Sequence, residues 1–315
     1  MKLIIFILAI LYANTTLAYN AAGHHLVAAI SWDLLTTKRQ NYWVEILKHH
    51  PRFDQDFKQN IPKYVKSNPA AYNEWIFRQA AVWPDLARGL QPKQKDKYHH
   101  GSWHYINYPI YLDKKFNTRF LNLNTSRKYK LHNDLNIIQA LKGNIKILSK
   151  KTTTKKQKAL ALSWVLHLSA DAHQPLHSSA LFSKNYFPKG DRGGNSINIK
   201  GQGRIKNLHW YWDSRLNNTT SFKVIDLRAS KLTKKYKNIA KKRQHDSIVQ
   251  WLKDSNKIAT KYVYTPVILA SLAKKERQNQ PLPTIYLANT YDKAARNIAS
   301  KQAAIAGFKL ANILK

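Results

Sequence analysis

The chain has 315 residues and a formal net charge of +36, from 53 Lys and Arg against 17 Asp and Glu. It contains no cysteine, which excludes a disulfide scaffold, a thiolate metal site and a cysteine nucleophile. A hydrophobic content of 43% and an aromatic content of 11% exclude a disordered basic tail. The chain is therefore a folded, strongly cationic protein, and such a charge favours polyanionic partners.

The first 18 residues are typical of a secretory signal peptide. Lys2 supplies a positive charge, Leu3 to Tyr12 form an apolar run, and Thr16 to Ala18 have the small-x-small pattern of a cleavage site. The apolar run is roughly half the length that a bilayer-spanning helix requires. We therefore expect cleavage after Ala18, a periplasmic or secreted protein with no stable membrane insertion, and a new amino terminus at Tyr19.

The mature chain has the periodicity of helices and little strand character. The predicted helices are His24 to Leu35, Tyr72 to Val82, Leu131 to Leu148, Lys155 to Ala172, Ile239 to Leu252, Asn256 to Ala273 and Leu287 to Leu314. The residues expected to separate them or to mark loops are Pro84, Pro109, Pro175, Pro188 and the pair Gly193-Gly194. We find no internal repeat and no flexible linker, which predicts a single all-α domain over residues 19–315 with a small hairpin at Asn195 to Ile205.

The last part of the chain is rich in lysine, as in Lys231 to Lys237 and Lys241 to Arg243. We interpret these lysines as solvated helix faces. The alternative interpretation is a basic surface that gathers nucleic acid.

Histidine and aspartate residues recur at spacings that suit metal binding. His167 and Asp171 are four residues apart on a predicted helix, so both side chains face one cation. Pro175 then ends the helix, which lets His177 return towards the same pocket. The same i, i+4 spacing recurs in Leu208-His-Trp-Tyr-Trp-Asp213. Imidazole and carboxylate ligands without thiolate suit Zn²⁺ in a hydrolytic site.

Three upstream segments add candidate ligands. Asp85 follows a predicted helix end, His104 lies in a Trp-His-Tyr sequence, and His24 stands five residues after the Tyr19 amine. Taken singly, each is more often a packing or surface residue than a ligand. Six other histidines are interpreted as packing or surface residues: His49, His50, His99, His100, His132 and His245.

In this order, the motifs resemble the zinc-dependent S1/P1 nuclease family, which is structurally related to the zinc phospholipases C. The motifs are the aromatic terminus with G-H five residues on, W-x-D, W-H-Y, H-x-x-x-D-x-x-Q-P-L-H, G-G-N and L-H-x-x-W-D. They span essentially the whole mature chain. The most specific is the string Asp171-Ala-His-Gln-Pro-Leu-His177.

The resemblance implies three zinc ions per chain in a cleft of a mainly helical fold. It assigns Asp85, His104, His167 and Asp171 to one ion. It assigns His24 and the amino nitrogen and carbonyl oxygen of Tyr19 to a second ion, with Asp171 shared. It assigns His177, His209 and Asp213 to the third. In this arrangement Asp85 and Asp171 are also catalytic, because ligand carboxylates orient the attacking water.

The resemblance also implies roles in substrate binding. Arg88 is a candidate for stabilising charge on the phosphate, and the alternative is a surface arginine at a helix end. Asn195 resembles the family's base-pocket asparagine, and Tyr105 could supply a stacking face. Asn107 stands where many members have an aspartate that contacts the base.

The expected function is that of an exported, monomeric zinc endonuclease. It would cleave RNA and single-stranded DNA to 5′-phosphorylated products and remove 3′-phosphates from nucleotides. One alternative is a zinc phospholipase C, although the lipases usually have glutamate where Asp213 stands and Gly193-Gly194-Asn195 argues against them. Another is a cationic protein that binds nucleic acid without turnover.

Overall fold

The computed structural model describes residues 20–59, 61–113, 124–125 and 135–315. The predicted signal peptide and Tyr19 lie outside the described residues. The helices are α1 (Ala21–Asp33), α2 (Thr37–Leu47), α3 (Lys63–Lys66), α4 (Pro69–Leu86), α5 (Pro92–Tyr98), α6 (Ile137–Ser149), α7 (Lys155–Asp171), α8 (Leu208–Asp213), α9 (Phe222–Arg243), α10 (Ile248–Ile258), α11 (Pro266–Arg277) and α12 (Asn289–Leu314). The strands are β1 (Tyr108–Tyr111), β2 (Ser179–Phe182), β3 (Ile199–Lys200) and β4 (Ile285–Tyr286). The predicted all-α fold class is confirmed.

Helix α1 occupies the centre of the larger core. It packs against α4, α7, α9 and α12, and every residue from Ala22 to Trp32 is buried. A helix that is covered on all sides carries no polar face, which explains the run of alanine, valine, leucine and isoleucine in it. The Asn20 side chain accepts a hydrogen bond from the Gly23 amide (3.1 Å) and so caps the helix start.

A glycine sets the distance between α1 and α12. A methyl group added at Gly307 would lie 2.4 Å from Ile30 Cγ2 and 3.3 Å from the Val27 carbonyl oxygen. The first distance is too short for a real Cβ and the second is tight, so the two helices approach as closely as they do because residue 307 has no Cβ. This contact fixes the position of the helix that begins the described chain.

The strands form two short parallel pairs, β1 with β2 and β3 with β4. The first pair aligns Tyr108 with Ser179. The predicted hairpin is reduced to one antiparallel bridge between Asn198 and Asn207. Strand β3 itself pairs with β4, far along the chain. A smaller core that includes Trp212 and Tyr264 packs beside these strands.

Two predicted helices were wrong because each spans a break. The segment Ile239 to Leu252 is interrupted after Arg243, and α10 starts afresh where the Ser247 hydroxyl accepts from the Gln250 amide (3.2 Å). The segment Asn256 to Ala273 is interrupted before Pro266, which takes the first position of α11. In both places apolar periodicity continues across the break.

Two further boundaries differ from the prediction. Helix α4 runs through Pro84, which was expected to end it, because a proline in the last turn removes only one hydrogen bond. Helix α6 begins at Ile137, where Asn136 and Gln139 form a capping box. Residues 131–134 of that predicted helix lie outside the described residues.

The lysines of the lysine-rich segment in α9 lie at the surface, as both interpretations of that segment require. Lys231, Lys234, Lys235 and Lys237 are exposed on α9, while Leu232 and Ala240 face the core. None of the helices within the described ranges combines the length and apolarity needed to cross a lipid bilayer.

Candidate metal centre

The described candidate ligands come from separate elements and meet in the interior. Asp85 lies in the last turn of α4, and not past a helix end as predicted, because the helix continues through Pro84. His104 and His177 end short 3₁₀ turns, Gly101–His104 and Pro175–His177. The remaining candidates lie on α1 (His24), α7 (His167, Asp171) and α8 (His209, Asp213). All are at most 8% exposed. Tyr19 lies outside the described residues.

Three groups of side chains each bring their ligand atoms within 4.8 Å of one another. The groups are His24 with Asp85 and His167, His104 with His167 and Asp171, and His177 with His209 and Asp213. The first two groups share His167. The structure thus brings together side chains from α1, α4, α7, α8 and the two 3₁₀ turns.

Asp171 lies at the centre of the first two groups. Its Oδ2 is 3.0 Å from His104 Nδ1 and 3.2 Å from His167 Nε2, and its Oδ1 is 3.5 Å from His24 Nε2. Oδ2 is also 3.8 Å from His177 Nδ1, in the third group. A single carboxylate therefore reaches four imidazoles, which suits a ligand shared between neighbouring cations.

Backbone carbonyls orient three of the imidazoles. The Nδ1 atoms of His167, His177 and His209 donate to the carbonyls of Ala81 (2.8 Å), His104 (2.7 Å) and Gly193 (2.7 Å). A ring whose Nδ1 is held in this way presents Nε2 as the lone-pair atom, which is the usual arrangement of a metal-ligating histidine.

Gln174 holds the third group in place and was not predicted from the sequence. Its Nε2 donates to Asp213 Oδ1 (2.7 Å) and its Oε1 accepts from the Leu176 amide (2.5 Å). Asp213 Oδ2 then lies 3.4 Å from His209 Nε2. The signal was present, because Gln174 lies within the Asp171–His177 string.

The donor atoms of the centre fit a bound cation. Among the described residues, Asp171 Oδ1, His177 Nε2 and Asp213 Oδ2 are buried and have no hydrogen-bond partner. Leaving such atoms unpaired in a protein interior costs about 1–3 kcal/mol each. Imidazole nitrogens and carboxylate oxygens at these positions match the ligand chemistry of Zn²⁺.

Burial and neighbouring charges shift the pKa values of His167 and Asp171 in opposite directions. Burial would lower the pKa of His167, but Asp171 and Asp85 raise it to about 8. Burial would raise the pKa of Asp171, but His167 and His177 hold it well below its ordinary value. Burial lowers the pKa of His104 to about 3. At neutral pH a neutral His104 and an ionised Asp171 are the forms that bind metals.

A cavity of about 420 Å³ opens beside the centre, and His104, His177 and His209 form part of its wall. The predicted catalytic residue Arg88 and the predicted substrate-binding residues Tyr105, Asn107 and Asn195 all line it. Arg88 Nη2 is 3.4 Å from Asp85 Oδ1, which places the guanidinium at the centre and not on an open surface. Lys189 and Arg192 also line the cavity and were not predicted.

The loop that carries these two cations is held by the buried carboxylate of Asp191. Its oxygens accept from the amides of Leu181 (2.9 Å) and Gly194 (3.0 Å) and from the Tyr264 hydroxyl (2.7 Å). A methyl group at Gly193 would lie 2.5 Å from the Leu176 carbonyl oxygen, so only glycine fits there. Asp191 was not predicted, since the hydroxyl that holds it belongs to Tyr264, far away in sequence.

The histidines interpreted as packing or surface residues do not join the candidate ligand groups, although the His99 ring lies 6.2 Å from that of His104. His50 packs against Phe57 and Trp83, with ring centroids 4.8 and 4.3 Å away. None of the others belongs to the three groups within the described residues. His132 lies outside the described residues.

The chain is similar to known nucleases. A model of the S1/P1 nuclease family matches residues 19–315. Nuclease S1 of Aspergillus oryzae is 28% identical over 108 residues, 33% of this chain and 34% of that protein. Endonuclease 2 of Arabidopsis thaliana is 29% identical over 122 residues, 38% of this chain and 39% of that protein. The chain thus spans only about a third to two fifths of the length of these curated relatives.

Proposed function

Because the chain belongs to the S1/P1 nuclease family, we propose that it is a zinc-dependent endonuclease acting on RNA and single-stranded DNA. The products carry 5′-phosphates, and the same site removes 3′-phosphates from nucleotides. The observation that carries this proposal is the convergence of three buried His/Asp groups beside a cavity lined by Arg88, Tyr105 and Asn195.

The proposed cofactor is three zinc ions per chain. The proposed ligands of the first ion are Asp85, His104, His167 and Asp171, those of the second are Tyr19, His24 and Asp171, and those of the third are His177, His209 and Asp213. When bound, zinc acidifies water and neutralises phosphate charge. Asp171 Oδ1 and Oδ2 face different imidazoles, which supports its role as the shared ligand.

The chain's own residues orient the reacting groups. The Asp85 carboxylate aligns the attacking water, and the Arg88 guanidinium donates to the phosphate oxygens on which charge develops. The 3.4 Å contact between Arg88 and Asp85 holds that guanidinium at the edge of the ligand group. In this proposal Asp85 acts on the attacking water and Arg88 acts on the phosphate.

Base recognition is assigned to the cavity wall. Asn195 Nδ2 gives one hydrogen to the Arg192 carbonyl (2.9 Å), which leaves its second hydrogen and Oδ1 for a base edge. The Tyr105 side chain is 37% exposed and offers a stacking face, with Asn107 nearby in the same wall. Such a pocket accepts an unpaired base more readily than a stacked one.

We further propose that the protein is exported, that its signal peptide is cleaved after Ala18 and that the mature chain is a monomer. The mass of the mature chain and the sequence of its first residues test the cleavage site, and a terminus other than Tyr19 would refute it. Light scattering of the purified protein tests the monomer.

The function is tested by elemental analysis together with hydrolysis of single-stranded DNA, RNA and phosphatidylcholine, before and after chelation. We expect about three zinc ions per chain, as the ligand sets above require, and chelator-sensitive cleavage of nucleic acid. Asp171→Asn should abolish turnover, whereas Asp54→Asn, an exposed aspartate with a side chain 74% exposed, should not. Cleavage of lipid alone would instead establish a phospholipase C. Protein with a Tyr19 terminus but no zinc would refute the proposal.

A further inference from the structure

The cavity wall contains two cations for which the proposed reaction has no role. Lys189 and Arg192 both line the cavity, and neither forms an ion pair among the described residues. Arg78 and Arg215, by contrast, pair with Asp226 and Asp292. Because the chain has far more basic than acidic residues, a missing acidic partner is common in it. The position of these two cations is the more informative feature.

The backbone at Arg192 is strained. Its φ is 58°, in the left-handed region that L-residues other than glycine rarely adopt, and Gly190, Gly193 and Gly194 around it also have positive φ. The conformation is imposed by the buried Asp191 carboxylate and by the hydrogen bond from Asn195 to the Arg192 carbonyl. A glycine at residue 192 would relieve the strain. An arginine at a backbone position that favours glycine suggests that its side chain has a function.

Arg192 and Arg88 lie near different side chains of the cavity. Burial raises the pKa of Tyr105, and Arg192 partly offsets that rise, so the guanidinium lies near the tyrosine. Burial lowers the pKa of His209, and both arginines contribute to that shift. Only Arg88 pairs with Asp85. The cavity therefore holds Arg88 beside the first ligand group and Arg192 near the proposed stacking ring, and Lys189 is a third cation in its wall.

We propose that Lys189 and Arg192 form a second phosphate subsite, which binds a phosphodiester next to the one being cleaved. The proposal rests on the proposed nuclease function, since a neighbouring phosphodiester exists only in a nucleic-acid substrate. Charge-assisted hydrogen bonds from a guanidinium and an ammonium suit a phosphate monoanion. The subsite makes the enzyme prefer oligonucleotides over dinucleotides.

The test uses trinucleotides in which one linkage is a phosphodiester and the other is either a phosphodiester or an uncharged methylphosphonate. The methylphosphonate is placed on the 5′ or the 3′ side in separate substrates, and products are identified by mass. For the wild type we expect kcat/KM to be about tenfold higher with the charged neighbour on one side, mainly through KM. Arg192→Gln and Lys189→Gln should bring that ratio towards one.

Two further variants serve as controls. Lys184→Gln removes an exposed lysine of the same segment that does not line the cavity, and it should keep the wild-type ratio. Arg192→Gly suits the positive φ, so its resistance to urea should equal or exceed that of the wild type while the ratio falls. If Arg192 had only a structural role, Arg192→Gly would lower the resistance to urea and leave the ratio unchanged.

The outcomes separate the subsite from the nuclease function. Normal cleavage by Arg192→Gln and Lys189→Gln with an unchanged ratio would overturn the subsite alone. If the wild type cleaves neither trinucleotides nor single-stranded DNA or RNA, the nuclease function fails and oligonucleotide binding against salt decides the subsite. In that case the double variant should lower the salt slope of single-strand binding by about 0.7, the value for one phosphate, and an unchanged slope overturns the subsite.

Discussion

Replacing Gly307 by alanine perturbs the contact between α1 and α12. The new methyl carbon would lie 2.4 Å from Ile30 Cγ2 and 2.6 Å from Ile30 Cβ, in a fully buried position. Overpacking of a core costs about 1–3 kcal/mol, whereas alanine gains roughly 1 kcal/mol over glycine in a helix interior. We therefore expect a net loss of about 0–2 kcal/mol in the free energy of unfolding.

Gly143→Ala is the matched control. Gly143 lies in α6, and nothing lies within 4 Å of the methyl group it would gain. That variant should gain about 1 kcal/mol from helix propensity alone. The difference in stability between the two variants then isolates the packing cost at Gly307. Urea unfolding at fixed zinc concentration measures both, because bound zinc would otherwise change the apparent stability.

A double variant and a metal measurement complete the test. Ile30→Ala removes Cγ2, the nearer of the two clashing carbons, so Gly307→Ala with Ile30→Ala should be more stable than the two separate effects predict. His24 lies on the same helix as Ile30, so Gly307→Ala should also weaken zinc retention. Equal stability of Gly307→Ala and Gly143→Ala would show that α1 shifts at no cost and would refute the reasoning.

Three other predictions concern residues around the centre. Tyr264→Phe should cost about 1.5–3 kcal/mol in urea unfolding, since it removes the 2.7 Å hydrogen bond to the buried Asp191 carboxylate; an unchanged midpoint would contradict this. Gln174→Ala should lower zinc affinity about 10–100-fold by releasing Asp213, which a competition assay with a chelator measures. Burial lowers the pKa of His50 to about 3; the Asp56 carboxylate opposes this shift and the Arg52 guanidinium adds to it. Between pH 6.5 and about 3 only the unfolded state binds that proton, so stability falls as pH falls, by roughly 1.4 kcal/mol per unit. His50→Gln should flatten the acid limb of the stability curve, and an identical slope would exclude His50.

Local spacing explains what could be predicted from the sequence. His167 and Asp171 share a helix face because four residues make about one turn, and that geometry needs no knowledge of the rest of the fold. The same reasoning correctly predicted α7 and most of α1 and α12. It failed between α9 and α10, where apolar periodicity continues but a serine cap starts a new helix.

Residues that act through distant partners could not be predicted in this way. The hydroxyl that holds Asp191 belongs to Tyr264, 73 residues away, and Gln174 reaches Asp213 across 39 residues. Arg192 enters the cavity because of its backbone conformation, which the neighbouring glycines permit but do not specify. Such contacts arise from tertiary packing, and no local pattern encodes them.

The position of α1 also determines the order in which the molecule can be assembled. Helix α1 lies near the start of the chain and is enclosed by α9 and α12, which lie near its end. Contacts of such high sequence separation form late and slow folding. The α1 side chains that α9 and α12 cover therefore stay unburied until those helices have emerged, whereas α4 and α7 can pack against α1 earlier. A chaperone that binds the apolar surface of α1 would protect the nascent chain over this interval.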